Sequence, residues 1–500
     1  MKTIKVIKST ILLFSAVLIT VSCSNYLDVN DNPNDPGIST PSLTLPVAQR
    51  DLTALYSRSM TYLGNYLAYN WATPSNWSAN QEFFRYTVTT NFYSTIFETS
   101  YVSVLKNLTY VLNYEDASGA VDYGAYKAMA TTLRGFQYQY LVDLYGDVPY
   151  TEANLRSANT TPKYDDAETI YKAVIDELTA AADLSLNLAV NAENPGTSDI
   201  IFGGDMDRWA QFANTVKLRM LVRLSNTNQD AYIKSEIAKI DANGAGYIDA
   251  DVNVNPGYND NTDKQSPFYG FFREPSTGIQ TDRGDYTVGT DYTINYLTNS
   301  NDDRLERLYA PAETGGAYKG APQSSTLPGT GFTNKDVSKV GPGLLKNSSQ
   351  DQPIMLYSEA LLLQAEAIVS GYITGVDADA QAKYEEAIED SYVYLGVPDA
   401  VNAAQTYYAQ DVANIAWASS PNKKQAIITQ KWIALNGTSS IECWIEKTRT
   451  GFPAGLPVPA EATDPRPVRL LYPATEVGRN SANVPAQTAQ NAFTDNPFWK

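Results

Sequence analysis

A mainly α-helical fold of about four degenerate helical hairpins, with a loop-rich irregular subdomain and a Pro-rich C-terminal segment, is predicted by three observations. Apolar residues recur at steps of three and four wherever the pattern is regular: Leu133, Phe136, Tyr140 and Leu144 in one segment, then Ile170, Val174, Leu178 and Ala181 in the next. Between Asn243 and Ser349 this period fails, apart from a short helix near Tyr292 to Leu308. From Phe452 onward, proline stands at 453, 457, 459, 465, 467, 473, 485 and 497, and proline removes a helix donor each time.

Each element follows from local chemistry. Lys2, Lys5 and Lys8 precede the apolar run Thr10 to Val21 and then Ser22-Cys23, the charged, apolar and small-residue regions of an export signal. That run falls short of the roughly 20 residues needed to span a membrane. Residues 1–22 therefore read as a signal peptide and Cys23 as the acyl acceptor of a lipobox, with Thr20 where leucine is usual. Residues 23–42, rich in Asn, Asp and Pro, form the tether of a lipid-anchored chain. The domain spans 43–500, with scaffold at 43–243 and 350–450, an excursion at 244–349 and an irregular end at 451–500. The first hairpin pairs Leu45 to Tyr69 with Phe92 to Glu115. The second is ended by Gly146 and Pro149 on one side and begun by a capping box, Asp165 with Glu168, on the other. The third runs Asp207 to Asn226 and Gln229 to Asn243. The fourth runs Ile354 to Ser370 and Ala380 to Leu395, closed by Gly396 and Pro398. Ala360 and Ala367 on the seam let helices approach closely, as in tetratricopeptide-like stacks.

Composition removes whole classes of function. The 500 residues contain no histidine, which excludes imidazole bases and His-ligated zinc. With 37 basic and 55 acidic residues the net charge is −18. A chain of that charge repels nucleic acid phosphate, and no basic run lies beyond the N-terminus. The second cysteine, Cys443, has apolar neighbours and reads as a packed, inert thiol.

The aromatic distribution points to a binding surface. Residues 62 to 101 hold twelve aromatic side chains. Those at helical spacing, Tyr62, Tyr66 and Tyr69 or Tyr93, Phe97 and Tyr101, belong in a core. The stretch Trp71 to Tyr86 is interrupted by Pro74, Asn76, Ser78 and Asn80, so Trp71 and Trp77 are expected in a loop with accessible faces. Sugar C–H groups pack on such planes, while hydroxyls need amides and charges alongside. The ligand-binding candidates are Trp71, Asn76, Trp77, Arg85 and Tyr86. A second cluster in the excursion adds Phe271, Phe272, Arg273 and Tyr286. Its bland alternative is a hydrophobic plug that pins a long loop. The composite expectation is a shallow site where the excursion meets the turn at Trp77.

Other chemistry is disfavoured. The stretch from Asp241 begins like a calcium loop, but Ala245 and Val252 occupy ligand positions, so it reads as a turn and no metal or cofactor is expected. Glu442 and Glu446 share a helical face four residues apart, but Lys447 and Arg449 follow, which reads as pairing on a surface or at a helix end rather than a catalytic carboxylate pair. Glu359 and Glu366, among Leu and Ala, read as partners of basic groups in a helix interface. No enzymatic activity is predicted.

Four segments together carry a resemblance: Asn25 to Asn34, Leu133 to Tyr150, Trp444 to Pro453 and Arg469 to Glu476. They resemble the SusD/RagB-like family of Bacteroidetes outer-membrane lipoproteins, in its SusD-like_2 branch. The resemblance implies a surface-exposed outer-membrane lipoprotein that binds a nutrient oligosaccharide. It also implies a partner, a SusC-like TonB-dependent barrel that imports the ligand. An oligopeptide cargo and a helical-repeat adaptor that binds protein only are the alternatives.

Overall fold

The computed structural model describes residues 39–327 and 329–500. The signal peptide, Cys23 and the tether up to Ile38 lie outside the described residues. The described chain is mainly helical. α1 (Pro41–Leu55) has proline at its first position, where a missing N–H costs nothing. It continues through a π-helical stretch, Tyr56–Met60, into α2 (Thr61–Leu67). α3 (Lys106–Leu112) ends the return path and packs on α1.

Three further pairs follow: α4 (Gly124–Tyr145) with α5 (Ala167–Leu186), α6 (Met206–Arg223) with α7 (Asp230–Asn243), and α8 (Tyr357–Val369) with α9 (Asp377–Leu395). The predicted stops hold, with Gly146 at φ +79° and Gly396 at +72° in conformations suited to glycine. The start of α5 differs. Its cap is Asp166, whose carboxylate accepts from the Thr169 N–H at 2.8 Å. The Asp165 carboxylate turns back and accepts the N–H groups of Tyr150 and Thr151, at 3.1 and 2.7 Å.

A fifth pair, α10 (Lys423–Ala434) and α11 (Ser440–Thr450), was not legible in the sequence. α10 buries every residue from Ala426 to Ala434, Gln430 and Lys431 included, so no apolar stripe marks its period. α11 docks against α2 at Gly64, where an added Cβ would lie 2.2 Å from the backbone of Ser440 and Ile441.

Burial of charge explains how these helices are joined. Glu442 and Glu446 are not on a surface, as the sequence suggested; both are buried in α11. Arg223 of α6 lies 2.5 Å from Glu442 and 3.0 Å from Glu446, with Asp143 of α4 at 3.5 Å. Arg219, one turn earlier, reaches Glu359 of α8 at 3.4 Å and Glu442 at 3.7 Å. Lys431 of α10 approaches Glu446 at 3.1 Å and Glu359 at 3.6 Å. Arg449 holds Glu366 through two bonds of 2.8 Å, so Glu359 and Glu366 do meet basic groups between helices. Burial alone would neutralise Glu442, but Arg223, Arg219 and Lys431 outweigh it and hold the carboxyl down at about 2.

The excursion is anchored at both ends by one ladder. β2 (Val252–Val254) pairs antiparallel with β4 (Gln352–Met355), so the long segment between them leaves and returns at one place. Within it, Asp282–Tyr286, Asp291–Asn299 and Leu305–Leu308 are short helices. Phe268 and Phe272 are buried and join the main core, the plug the sequence offered as an alternative.

Two predictions follow from these charges. Arg223→Leu leaves Asp143 buried without a cation and takes one cation from Glu442 and Glu446, and should lower unfolding free energy by about 3–5 kcal/mol. Arg85→Ala, at an exposed pair, should cost under about 1 kcal/mol. Urea titration of both variants checks the contrast. The second prediction concerns the start of α8, where Asp390 accepts the Ser358 N–H at 2.9 Å beside Asp251, which accepts that of Tyr357 at 2.8 Å. Burial, then Asp251, pushes Asp390 from 3.8 to about 7. The folded state therefore binds this proton more tightly than the unfolded chain, and stability is lost as pH rises from about 4 through 7. Asp390→Asn should remove that loss, gaining on the order of 2 kcal/mol on wild type at pH 8 relative to pH 5. Parallel urea titrations at both pH values decide it.

Candidate functional site

Strand register brings the turn at Trp77 against the excursion. β1 (Trp71–Ala72) pairs antiparallel with β3 (Val288–Gly289), Ala72 opposite Val288. The chain leaving Ala72 therefore emerges beside the chain arriving at Val288. Trp77 lies five residues after the first, and Asp285 and Tyr286 lie just before the second. Lys339 joins from the other side, bridged to Val288.

The loop after β1 is held in place. Asn80 takes a left-handed conformation, φ +59°, and its amide donates to the hydroxyls of Tyr66 and Thr73 at 2.8 and 2.9 Å. The Ser75 N–H donates to the Phe332 carbonyl at 2.8 Å. On the facing side, Thr281 caps the helix Asp282–Tyr286, accepting from the Gly284 N–H at 3.1 Å. Gly284 lies so close to the Phe272 carbonyl that an added Cβ would stand 2.3 Å from its oxygen.

At the junction, Trp77 and Tyr286 are half-buried, their rings edge-to-face with centroids 5.4 Å apart. The Trp77 Nε1–H donates to Asp285 Oδ2 at 2.9 Å, which fixes the indole plane. Asn334 donates to the same oxygen at 2.6 Å, and Lys339 Nζ donates to Asp285 Oδ1 at 2.9 Å. Burial works against ionisation of Asp285, but the bonds from Lys339, Asn334 and Trp77 outweigh it and hold the carboxyl below its ordinary value. Asn76 is exposed and exchanges two bonds with Asn334, donating to its Oδ1 at 3.0 Å and accepting its N–H at 2.8 Å. The result is an aromatic wall beside two amides, over a carboxylate paired with lysine.

The other candidates occupy different places. Trp71 is 0% exposed, because two-residue pairing with β3 pulls it out of the loop and packs it on Tyr62 and Phe272, each at 5.6 Å. Phe272 is likewise 0% exposed. Neither ring offers a free face; both belong to the main core. Phe271 is half-buried, with the Arg283 guanidinium 3.8 Å above its ring. Arg273 donates to the Gly278 carbonyl at 3.2 Å and closes its own hairpin. Tyr86, at φ +49°, is 4% exposed and turned into the core. Arg85 is exposed but engages Glu461 of the C-terminal segment at 3.1 Å. The structure thus brings together Trp77, Tyr286 and Asn76. It adds Asp285, Asn334 and Lys339, which no local sequence signal marked, since they meet only through strand pairing.

Among the described residues, no helix is long and apolar enough to cross a membrane. Comparison with solved structures finds the same fold over nearly the whole chain. A chitin-binding protein shares 23% identity, covering 89% of this chain and 95% of its own, with a TM-score of 0.72. A chitin-binding SusD homolog from Flavobacterium johnsoniae shares 20%, covering 92% and 98%, with a TM-score of 0.73. A SusD-like protein from Bacteroides thetaiotaomicron shares 20% over 92% and 98%, with a TM-score of 0.71. No curated protein matches the sequence. A family model described as starch-binding associating with outer membrane matches residues 33–473, and on that match the chain belongs to the SusD-like_2 family.

Proposed function

We propose that this protein is a cell-surface lipoprotein, acylated at Cys23, that binds an oligosaccharide at the Trp77–Tyr286 wall and delivers it to a TonB-dependent outer-membrane transporter. The observation that carries the reading is the orientation of Trp77. Its ring is partly accessible, its Nε1–H is committed to Asp285, and the amides of Asn76 and Asn334 stand alongside. A pyranose lays C–H groups on the indole, and its hydroxyls meet amide N–H and C=O groups. This is binding chemistry: the carboxylate at the wall is held ionised by a lysine and serves to orient the indole. Membership in a family described as starch-binding, and fold neighbours described as chitin-binding, support a glycan over a peptide. An adaptor that binds protein only predicts a buried aromatic loop; Trp71, Phe83, Phe84 and Tyr86 are buried, while Trp77 keeps part of its ring accessible.

A screen of the mature chain against oligosaccharides and mixed oligopeptides, read by intrinsic tryptophan fluorescence, tests the proposal. A glycan is expected to shift the emission. Trp77→Ala with Tyr286→Ala should then weaken binding at least about tenfold, while Tyr86→Phe leaves it unchanged. A response to peptides alone, or a glycan affinity indifferent to the double substitution, overturns the reading.

A further inference from the structure

Away from the Trp77 wall, α3 borders a second concavity whose chemistry differs. Two hollows, of about 460 and 420 Å³, meet along α3 and share Thr109, Asn113 and Leu155 as lining. Together they make one groove on the outer face of the first and second helix pairs.

One end of the groove is cationic. Lys106 and Arg156 both line it, and both are exposed. Among the described residues, neither has a carboxylate within 4.0 Å, although the chain carries 55 acidic residues against 37 basic ones. The Arg156 guanidinium stands 5.5 Å from the centre of the Tyr110 ring, and Tyr110 donates to the Ser39 carbonyl at 2.5 Å. Asn154 and Arg156 both adopt left-handed backbone, φ +58° and +54°, a conformation common for asparagine and uncommon for arginine. The Asn154 amide nitrogen is buried without a hydrogen-bond partner. A buried, unpaired donor beside two cations suits an anion with oxygen acceptors. Glu115, the acid at this end, is occupied by Lys127 at 2.7 Å.

The other end is neutral and rich in hydroxyl groups. Arg134 stacks between the rings of Tyr150 and Tyr138, at 4.9 and 5.4 Å, and pairs with Glu177 at 3.2 Å. Tyr150 donates to the same Glu177 oxygen at 2.5 Å, while the second Glu177 oxygen is buried with no donor. Thr109, Thr131, Thr151 and Asn113 share the lining with apolar residues that include Leu112, Leu155 and Leu184. A ligand that satisfies both ends carries a carboxylate at one and hydroxyl donors at the other. We infer that this groove is a second binding site, for an acidic saccharide of the uronic acid class, with the carboxylate at Lys106, Arg156 and Asn154 and ring hydroxyls toward Glu177 and the threonines.

The inference does not rest on the Trp77 site, and calorimetric titration separates the two. Trigalacturonate added to the mature chain should bind saturably and weaken as salt rises from 50 to about 300 mM, as charge screening requires. Lys106→Met with Arg156→Gln, both exposed, should weaken it at least about tenfold, while Trp77→Ala leaves it within about twofold. Equal binding of the methyl ester would overturn the carboxylate assignment. Equal binding of trialanine, lost in the same double variant, would overturn the saccharide class in favour of a peptide carboxylate. No saturable binding, or binding lost on Trp77→Ala alone, would overturn the second site.

Discussion

The buried charge cluster around Arg223 constrains everything else in this fold. Arg223 projects from α6 and touches carboxylates on α4 and α11; Arg219 adds α8, and Lys431 adds α10. Helices far apart in sequence are thus held in one register by bonds that tolerate no sliding. An apolar interface could shift by a turn and still bury its area, but a guanidinium displaced by a turn would leave charges desolvated and unpaired. The cations also lie against rings, Arg219 over Phe136 and Tyr140 at 5.0 Å each and Arg223 over Trp499 at 5.6 Å, which ties the C-terminal segment into the same cluster. Trp499 donates to Asp143 at 2.8 Å, so the end of the chain closes on the centre of the scaffold.

The Trp77 wall inherits its rigidity from that scaffold through few intermediates. α11 fixes α2 at Gly64, where the close approach admits no side chain, and Asn65 accepts from Ser440 at 2.8 Å. Leaving α2, the chain passes Tyr69 and Asn70 into β1, and Thr290 donates to the Tyr69 carbonyl at 2.6 Å just after β3. The two halves of the wall are therefore indexed to the same short stretch of backbone. A loop held at both ends in this way presents its aromatic plane already oriented, so little conformational freedom remains to be lost on binding.

What the sequence revealed follows from periodicity, and what it hid follows from pairing. α5 shows a stripe because one face is apolar and the other wet, and α4 and α8, though largely buried, keep apolar residues at steps of three and four. α10 interleaves Gln430 and Lys431 with its apolar residues, and in α11 Glu442 and Glu446 are satisfied by buried cations, so they resembled surface residues. Trp71 and Trp77 lie six residues apart in what reads as one loop. A two-residue strand separates their fates, burying the first and leaving the second half-accessible, and so short a strand leaves no alternation to detect. Tyr286 could be found as an aromatic in the excursion. Asp285, Asn334 and Lys339 could not, since each becomes meaningful only once β3 lies between its partners.

The electrostatics of the wall and of the groove argue for a division of labour between them. At the wall the central carboxylate has a partner: Asp285 is held by Lys339, which also reaches Glu313 at 2.8 Å. A neutral, hydroxylated surface can settle there without confronting an isolated charge. At the α3 groove the cations have no carboxylate partner among the described residues of a chain of net charge −18, and local positive potential in such a field is effective only at short range, inside about one Debye length. An acidic ligand would meet repulsion across most of the surface and attraction only where Lys106 and Arg156 stand together. The same net charge that turns nucleic acid away therefore sharpens, rather than abolishes, selection for a small anion at a cationic patch.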